Sequence, residues 1–179
     1  MAEDVNDKRR VLPPLPTVAP IEALQSEVGE IFIDANGHMG AANYILVFQQ
    51  GLPKLFRPLG FGPAYRARGL TCFQREAHIT HERELLLGDP ITLYSWLIGF
   101  DERCFHHYHE MRRGPDGPLV ATIEYLTVSV DLATRRSAPF PEDVRERLHT
   151  LMQVFAKVKC PGQTGRKIAL RTKQPRSAH

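Results

Sequence analysis

The sequence predicts an α+β fold in which an antiparallel sheet of about five strands is wrapped around one buried helix, followed by a C-terminal helix. Two observations carry this prediction. Residues 41–48 are apolar at nearly every position, whereas a helix on the surface would keep a polar face. Residues 70–131 then contain four strand-like segments separated by turn sequences. The helix is therefore expected to form the interior, with the strands around it.

The first strand is predicted over residues 23–33. Its alternation of apolar residues changes phase at Gly29, where a bulge would keep one face apolar. The buried helix is predicted from Gly40 to about Gln50. Gly51-Leu52-Pro53 then predicts a kink or a restart, because a proline inside a helix cannot donate the backbone hydrogen bond.

The remaining elements follow from alternation and turn signals. In the first of the four later strands, Phe73, Ala77 and Ile79 are expected on one face, with Glu76 and His78 on the other. Apolar residues at helical spacing predict the C-terminal helix over residues 141–158. The four predicted strands cover residues 70–82, 91–100, 103–113 and 119–131.

Composition and charge divide the chain into three parts: an extended Pro-rich arm (1–20), one domain (21–158) and a basic, disordered tail (159–179). Residues 161–179 contain five Lys/Arg and no acid, so subtracting them from the net charge of +3 leaves −2 for the rest. A nearly neutral body does not favour nucleic acid as a partner. No apolar run approaches membrane-spanning length, and no secretory signal is present.

The cysteines and histidines do not form a recognisable metal motif. Three cysteines lie far apart in the sequence, which argues against a disulfide framework or a zinc ribbon and favours a reducing cytoplasm. His107 and His109 share a strand face, but the sequence does not place a third ligand beside them. No metal is therefore expected, even though five histidines occur at positions 78, 81, 106, 107 and 109.

The segment most suggestive of chemistry is Asp34-Ala35-Asn36-Gly37-His38-Met39-Gly40, directly before the buried helix. A helix start leaves backbone amides without internal partners, and such donors can polarise a carbonyl oxygen. Asp34 is a candidate base or nucleophile, although an Asp before Asn-Gly also commonly caps a turn. Asn36 is more typical of a turn-former, and His38 is a second candidate base.

This segment and four others together resemble the hotdog-fold acyl-CoA thioesterases. The resemblance is closest to the 4-hydroxybenzoyl-CoA thioesterase-like branch, especially members associated with carnitine and betaine metabolism, and it covers roughly residues 18–155. The matching pieces are Asp34-x-Asn36-Gly37-His38-Met39, Glu76-x-His78-Ile79, Gly88-Asp89, His109-Glu110-Met111 and Arg135-Arg136-Ser137-Ala138-Pro139-Phe140-Pro141.

The resemblance implies a curved sheet around a long helix and a dimer whose two sheets join. The active site would lie at the subunit interface, with no metal or prosthetic group and with the coenzyme A thioester as substrate. Asp34 would be the catalytic carboxylate, and the backbone amides of Met39, Gly40 and Ala41 would polarise the thioester carbonyl. Many relatives carry Asn where this chain has Gly40, and an acid in the helix where this chain has Gln49 or Gln50. No carboxylate occurs in residues 35–56 here, so Asp34 is the one candidate carboxylate of this segment.

Further site residues are hypotheses of lower rank. Glu76 is a candidate for orienting a water molecule or for holding His38 of the neighbouring chain, and a solvent-facing or intersubunit pair with His78 is its equally good alternative. Arginines are candidates for the coenzyme A phosphates because they make bidentate phosphate contacts. An aromatic surround for a quaternary ammonium acyl group is a separate hypothesis, and ordinary sheet packing is its simpler alternative. The pocket candidates are Asn43, Tyr44 and His78, the phosphate candidates are Arg112, Arg113, Arg135 and Arg136, and the aromatic candidates are Tyr94, Trp96, Phe105 and Tyr108.

The sequence thus predicts a cytoplasmic acyl-CoA thioesterase for a small acyl group, of betainyl or aryl type, assembled as a homodimer or a dimer of dimers. Two alternatives remain open at this point. A hotdog enoyl-CoA hydratase or dehydratase would pair a carboxylate with a histidine for proton transfer. A non-catalytic acyl-CoA-binding module would retain affinity for coenzyme A without turnover.

Overall fold

The computed structural model describes residues 12–169. This part of the chain contains five strands, three α-helices and one 3-10 turn, and it confirms the predicted α+β class. In chain order, the elements are β1 (Ile21–Glu27), the 3-10 turn (Glu30–Phe32), α1 (Ala41–Phe56), α2 (Pro63–Ala67), β2 (Leu70–His81), β3 (Pro90–Phe100), β4 (Cys104–Arg113), β5 (Leu119–Asp131) and α3 (Glu142–Phe155).

All five strands form one antiparallel sheet in the order β1-β3-β4-β5-β2. Helix α1 lies across one face of this sheet, called the inner face here. Its buried side chains Val47 and Phe48 belong to one apolar cluster with Leu93, Met111 and Ile123 of the sheet. The predicted burial of this helix is confirmed only for the side that faces the sheet, because Ile45 and Leu46 are 40% and 53% exposed. No helix in residues 12–169 is long and apolar enough to cross a membrane.

Helix α1 continues without interruption to Phe56, so a restart at Pro53, one of the two predicted alternatives, is wrong. The backbone amide of Arg57 donates to the carbonyl of Pro53 at 3.0 Å, which shows that helical bonding resumes directly after the proline. Leu52 and Leu55 are buried on either side of it and hold the helix against the core. Packing therefore outweighs the local preference of proline.

Gly51 marks the closest approach of α1 to the sheet. A Cβ atom at this position would lie 2.9 Å from Leu93 Cδ1 and 3.4 Å from Ala23 Cβ. A side chain of any size would push the helix away from β1 and β3. Gly51 is thus a packing residue and not the helix terminator that the sequence suggested.

The first strand is shorter than predicted. It ends at Glu27, its register irregularity lies between Glu22 and Leu24, and the 3-10 turn occupies the place of its expected second half. The predicted bulge at Gly29 is therefore wrong. Ile31, which alternation assigned to the core, is 86% exposed.

A bulge at Arg75 changes the side-chain phase of β2. Phe73 therefore lies on the outer face with Glu76 and His78, and the prediction that it shares a face with Ile79 is wrong. No glycine or proline marks this bulge in the sequence, so alternation alone placed Phe73 on the wrong side. The shared face of Glu76 and His78 agrees with the prediction.

Residues 159–169, part of the tail expected to be disordered, lie against the outer face of the sheet. The amide of Gly165 donates to both carboxylate oxygens of Glu124, at 2.9 and 3.0 Å, and Gln163 contacts Thr80 at 3.4 Å. The remainder of that tail (170–179) and residues 1–11 of the Pro-rich arm lie outside the described residues.

Candidate active site

The segment before α1 folds into a tight turn that Asp34 closes. The amide of Asp34 donates to the carbonyl of His38 at 2.9 Å, and the amide of Gly37 donates to the carbonyl of Asp34 at 3.0 Å. Gly37 has φ +81°, which glycine adopts without strain. Asp34 Oδ1 accepts the amide of Asn36 at 2.8 Å. Asp34 Oδ2 also accepts a longer bond from Asn36 Nδ2, at 3.5 Å. Both carboxylate oxygens therefore contact the turn, as the capping interpretation expects.

The second carboxylate oxygen faces His38 and the start of α1. Asp34 Oδ2 lies 3.8 Å from His38 Nδ1, and the two side chains are 34% and 35% exposed. A Cβ atom on Gly40 would lie 3.7 Å from this Oδ2 and 3.3 Å from Asn43 Nδ2. The bare glycine therefore leaves room for the carboxylate beside the N-cap position of the helix.

The free amides at the helix start differ from those expected. The amide of Met39 donates to the carbonyl of Leu85 at 2.8 Å, and that of Gly40 donates to the carbonyl of Phe32 at 3.0 Å. Met39 and Gly40 therefore do not offer free donors, and this part of the oxyanion prediction is wrong.

Within residues 12–169, the amides of Ala41 and Ala42 have no acceptor. They are the first two amides of α1, where a helix leaves its donors unsatisfied. Ala42 was missed because the sequence does not show at which residue the helix begins. Of the three predicted donors, Ala41 is therefore free, and Ala42 is a further free donor next to it.

Asn43 and Tyr44 hold the turn in place. Asn43 Nδ2 donates to the carbonyl of Phe32 at 2.7 Å. The Tyr44 hydroxyl accepts the amide of Leu85 at 3.2 Å, and its ring meets His81 edge-on at 4.8 Å between centroids. Burial raises the pKa of Tyr44, so this phenol is protonated at neutral pH.

A cavity of about 380 Å³ opens beside this turn. The strand-end residue His81 forms part of its wall, and partial burial lowers the pKa of its imidazole. The cavity is therefore lined by a neutral histidine together with residues of both charge signs. Its lining residues are His38, Met39, Ala41, Tyr44, His81, Glu82, Arg83 and Glu84.

Glu76 and His78 are not brought to Asp34 within one chain. Both project from the outer face of the sheet, opposite α1, where they line a cavity of about 340 Å³ with His106 and Glu124. His106 Nε2 lies 2.5 Å from Glu124 Oε1.

The phosphate candidates are also dispersed in the single chain. Arg135 and Arg136 form the turn after β5, where Arg135 has φ +60°. Asp34 lies near the other end of β5, so roughly 40 Å of strand separates the two places at 3.3 Å per residue. Arg112 is paired with Glu110 at 2.8 Å, and Arg113 lies 3.3 Å from Asp89.

The four aromatic candidates lie on opposite faces of the sheet and do not form one binding site for a quaternary ammonium group. Trp96 and Tyr108 lie on the outer face with ring centroids 5.8 Å apart, and Tyr94 shares that face. Phe105 lies on the inner face, stacked on Phe61 at 5.0 Å. No three His, Cys, Asp or Glu side chains in residues 12–169 come together as a metal-binding group.

A buried hydrogen-bonded chain crosses the inner face beneath α1. Ser95 Oγ lies 2.7 Å from His109 Nδ1, His109 Nε2 lies 2.7 Å from His107 Nδ1, and His107 Nε2 lies 2.8 Å from Thr127 Oγ1. Burial lowers the pKa of His109 to about 3 and that of His107 well below its usual value. Both imidazoles are therefore neutral, and the sequence signal for them was their shared strand face.

A long helix packed on one antiparallel sheet, with a carboxylate beside the residue that precedes the helix, defines a protein of the hotdog class. The chain belongs to the Thioesterase-like superfamily, whose family model matches residues 28–148. The family resemblance seen in the sequence is thereby confirmed.

Two curated relatives are betainyl-CoA thioesterases. The chain is 30% identical to the betainyl-CoA thioesterase of Pseudomonas aeruginosa, over 78% of this chain and 88% of that protein. It is 28% identical to the L-carnitine dehydrogenase/betainyl-CoA thioesterase of Rhizobium meliloti, over 83% of this chain. The aligned region spans only 30% of the length of that second relative.

Among solved structures, a Staphylococcus aureus protein in complex with CoA has a TM-score of 0.77 and 29% identity. The match covers 84% of this chain and 96% of the other. The fold described here is thus shared along nearly the whole length of a protein that binds CoA.

Proposed function

We propose that this protein is an acyl-CoA thioesterase, which hydrolyses an acyl-CoA to the free acid and coenzyme A. The observation that carries the proposal is that the Asp34 carboxylate lies beside Gly40, the residue directly before the free amides of Ala41 and Ala42. Thioester hydrolysis requires a base or nucleophile and a site for the developing oxyanion, and these groups supply both. The family and the betainyl-CoA thioesterase relatives support the same chemistry.

In the proposed reaction, the thioester carbonyl oxygen accepts hydrogen bonds from the amides of Ala41 and Ala42. Asp34 Oδ2 takes a proton from a water molecule while the water oxygen bonds to the carbonyl carbon. Collapse of the tetrahedral intermediate then breaks the carbon–sulfur bond, and the coenzyme A thiolate takes up the proton. Direct attack by Asp34 would instead form an acyl anhydride that water hydrolyses in a second step.

We propose self-association through the free edge of β2. This strand is 12 residues long, and within the described chain it pairs only with β5. Phe73 on it is 61% exposed, which is unusual for an apolar side chain on an unprotected edge. A symmetric antiparallel pairing centred on the middle of β2 would place Cys72–Gln74 of one copy beside residues 78–80 of the other.

That pairing would bring the end of the sheet that contains Leu70 in one copy close to the turn that contains Asp34 in the other. Arg135 and Arg136 follow the β5 end that lies beside Leu70, so they would approach Asp34 of the second copy. Their role as phosphate ligands is proposed on this basis, and Glu76 and His78 would also lie close to the dimer axis. A dimer of dimers is the second assembly state that we propose.

We also propose a cytoplasmic location, which the three free cysteines suit.

The experiment that tests the function is thiol release from a panel of acyl-, aryl- and betainyl-CoA esters, with Asp34→Asn beside the wild type. The amide keeps the size of the side chain but cannot act as a base, so turnover should fall about a hundredfold or more while binding remains. Equal rates for both proteins would remove Asp34 from the mechanism. Asp116→Asn, in an exposed loop, is the matched control.

Asp34 and His38 lie close enough to form the carboxylate–histidine pair that a hydratase would use. The same panel of proteins and esters therefore also tests the hydratase alternative. A hydratase would change the enoyl absorbance of an enoyl-CoA without releasing thiol. A binding module would bind these esters and release nothing. Thiol release by the wild type excludes the binding module, and an unchanged enoyl-CoA excludes the hydratase.

A further inference from the structure

A second cavity lies at the other end of α1, between its C-terminal half, α2 and the start of β2. Its volume is about 630 Å³. It is called the Arg57–Arg66 cavity here after the two exposed arginines at its rim. Its apolar walls are formed by Leu52, Pro53, Phe56 and Phe61, and Phe73 of the edge strand β2 also lines it, although the side chain of Phe73 lies on the outer face of the sheet. Besides the two arginines, its polar residues are Gln49, Cys72, Gln74 and Thr127.

The two rim arginines have no acidic partner within residues 12–169. Arg57 and Arg66 take part in none of the ion pairs there, whereas Arg68 beside them is paired with Asp143 at 2.9 Å. The cavity lining also contains no carboxylate. Two positive charges thus stand at an apolar opening without compensation, an arrangement that favours an anionic ligand group.

The polar floor of this cavity is uncharged. Gln49 Nε2 donates to Gln74 Oε1 at 2.8 Å and to the Tyr125 hydroxyl at 3.2 Å. Burial raises the pKa of Cys72 to about 12, so its thiol is protonated at neutral pH. The floor therefore provides hydrogen-bonding groups but no charge that would offset the arginines.

We propose that the Arg57–Arg66 cavity binds an oxyanion-bearing part of the acyl-CoA ester. The apolar stem of the ligand lies between the aromatic walls, and its phosphate or carboxylate lies against Arg57 and Arg66. This inference rests on the proposed function for the identity of the ligand. A cationic acyl group of the betainyl kind is disfavoured in this cavity, because it would meet two like charges.

The test measures binding by calorimetry with probes that contain no thioester, so it does not depend on turnover. Coenzyme A is the probe that contains phosphate groups. S-carboxybutyl-pantetheine carries only the carboxylate source, and S-pentyl-pantetheine is its uncharged control. The proteins are the wild type, the double variant Arg57→Gln/Arg66→Gln and Lys157→Gln, which removes a positive charge from an exposed residue outside the cavity.

The double variant should bind at least one anionic probe about a hundredfold more weakly, or about tenfold for each charge-assisted hydrogen bond that the substitutions remove. S-pentyl-pantetheine, which has no charge, should bind the double variant and the wild type with equal affinity. A decrease confined to coenzyme A assigns the arginines to phosphate, and a decrease confined to S-carboxybutyl-pantetheine assigns them to an acyl carboxylate. Equal affinities of the double variant and Lys157→Gln for both anionic probes would overturn the inference.

Charge reversal adds a gain of binding that misfolding cannot produce. Arg57→Glu/Arg66→Glu should bind a trimethylammonium analogue of the pantetheine probe about tenfold more tightly than the wild type does. Unchanged or weaker binding of this cationic probe would contradict the inference. Because every arm is a binding measurement, failure of the thioesterase proposal would be seen separately, in the thiol-release assay.

Discussion

His107 Nδ1 and His109 Nε2 lie 2.7 Å apart beneath α1, in a part of the core from which solvent is excluded. One ring must donate to a lone pair of the other, which requires the accepting imidazole to be neutral. Their pKa values are lowered accordingly, mainly by burial. The pair therefore makes the core sensitive to acid, although neither ring faces the turn that carries Asp34.

Acid should destabilise the fold through this pair. Unfolded histidine titrates near pH 6.5, whereas His109 in the folded protein titrates near 3, so unfolding takes up protons between these values. The stabilisation is fully present above about pH 6.5 and is lost as the pH falls below it. From pH 7 to 5.5, the free energy of unfolding should drop by about 1 kcal/mol for each histidine.

Urea denaturation at the two pH values measures this drop. His109→Gln should show a smaller difference between them than the wild type does, because it removes one of the two groups that take up protons. Identical pH dependence in the variant would show that His109 does not contribute.

Ala41→Pro should remove an oxyanion donor while keeping the fold. Ala41 is the first residue of α1, where proline is well tolerated, and Gly40 before it has the extended ψ of 143° that a following proline requires. Loss of one such donor should lower kcat roughly a hundredfold to a thousandfold. Thiol release measures this, and thermal unfolding should be nearly unchanged. Ala41→Ser retains the amide, so an equal loss of kcat in that variant would refute the assignment.

Gly51→Val should destabilise the protein through overpacking. Its side chain would be forced against Leu93, which is buried beneath the helix and would have to change its position. Such insertions typically cost about 1–3 kcal/mol, visible as a lower urea midpoint. Gln50→Val, at an exposed position on the same helix, controls for the change in helix propensity. Similar midpoints for the two variants would mean that α1 can move away from the sheet.

Phe73→Lys should weaken the proposed pairing through β2. Burial of a Phe side chain contributes roughly 1.5–3 kcal/mol, and a symmetric dimer contains two of them, so the dissociation constant of the dimer should rise about a hundredfold or more. Sedimentation over a range of protein concentrations measures this. Ile31→Lys, at a residue that is 86% exposed outside the strands, is the control and should leave association unchanged. Equal behaviour of both variants would exclude Phe73 from the interface.

The fold class was predictable because it depends on local patterns. The apolar run at residues 41–48 and the alternation in residues 70–131 can both be recognised without knowledge of distant contacts. The continuation of α1 through Pro53 could not be predicted, because it depends on the burial of Leu52 and Leu55 against other elements. The phase of β2 was missed because the bulge at Arg75 is set by pairing with β5.

The same distinction holds for the candidate site. Asp34 and His38 meet because they belong to one turn, and this proximity could be expected from their spacing. Which amides remain free depends on carbonyls of other segments, those of Phe32 and Leu85, that the sequence does not place. The Arg57–Arg66 cavity was missed for the same reason, since α1, α2 and β2 contribute to it together.

The chain from Ser95 to Thr127 can be arranged in two directions with the same heavy-atom positions. In one, Thr127 accepts from His107 and turns its own hydroxyl hydrogen towards the Arg57–Arg66 cavity; in the other, it donates inward and presents lone pairs there. A ligand that fixes the orientation of this hydroxyl also fixes the tautomer of both imidazoles. The nitrogen chemical shifts of two buried histidines would then report whether the cavity is occupied.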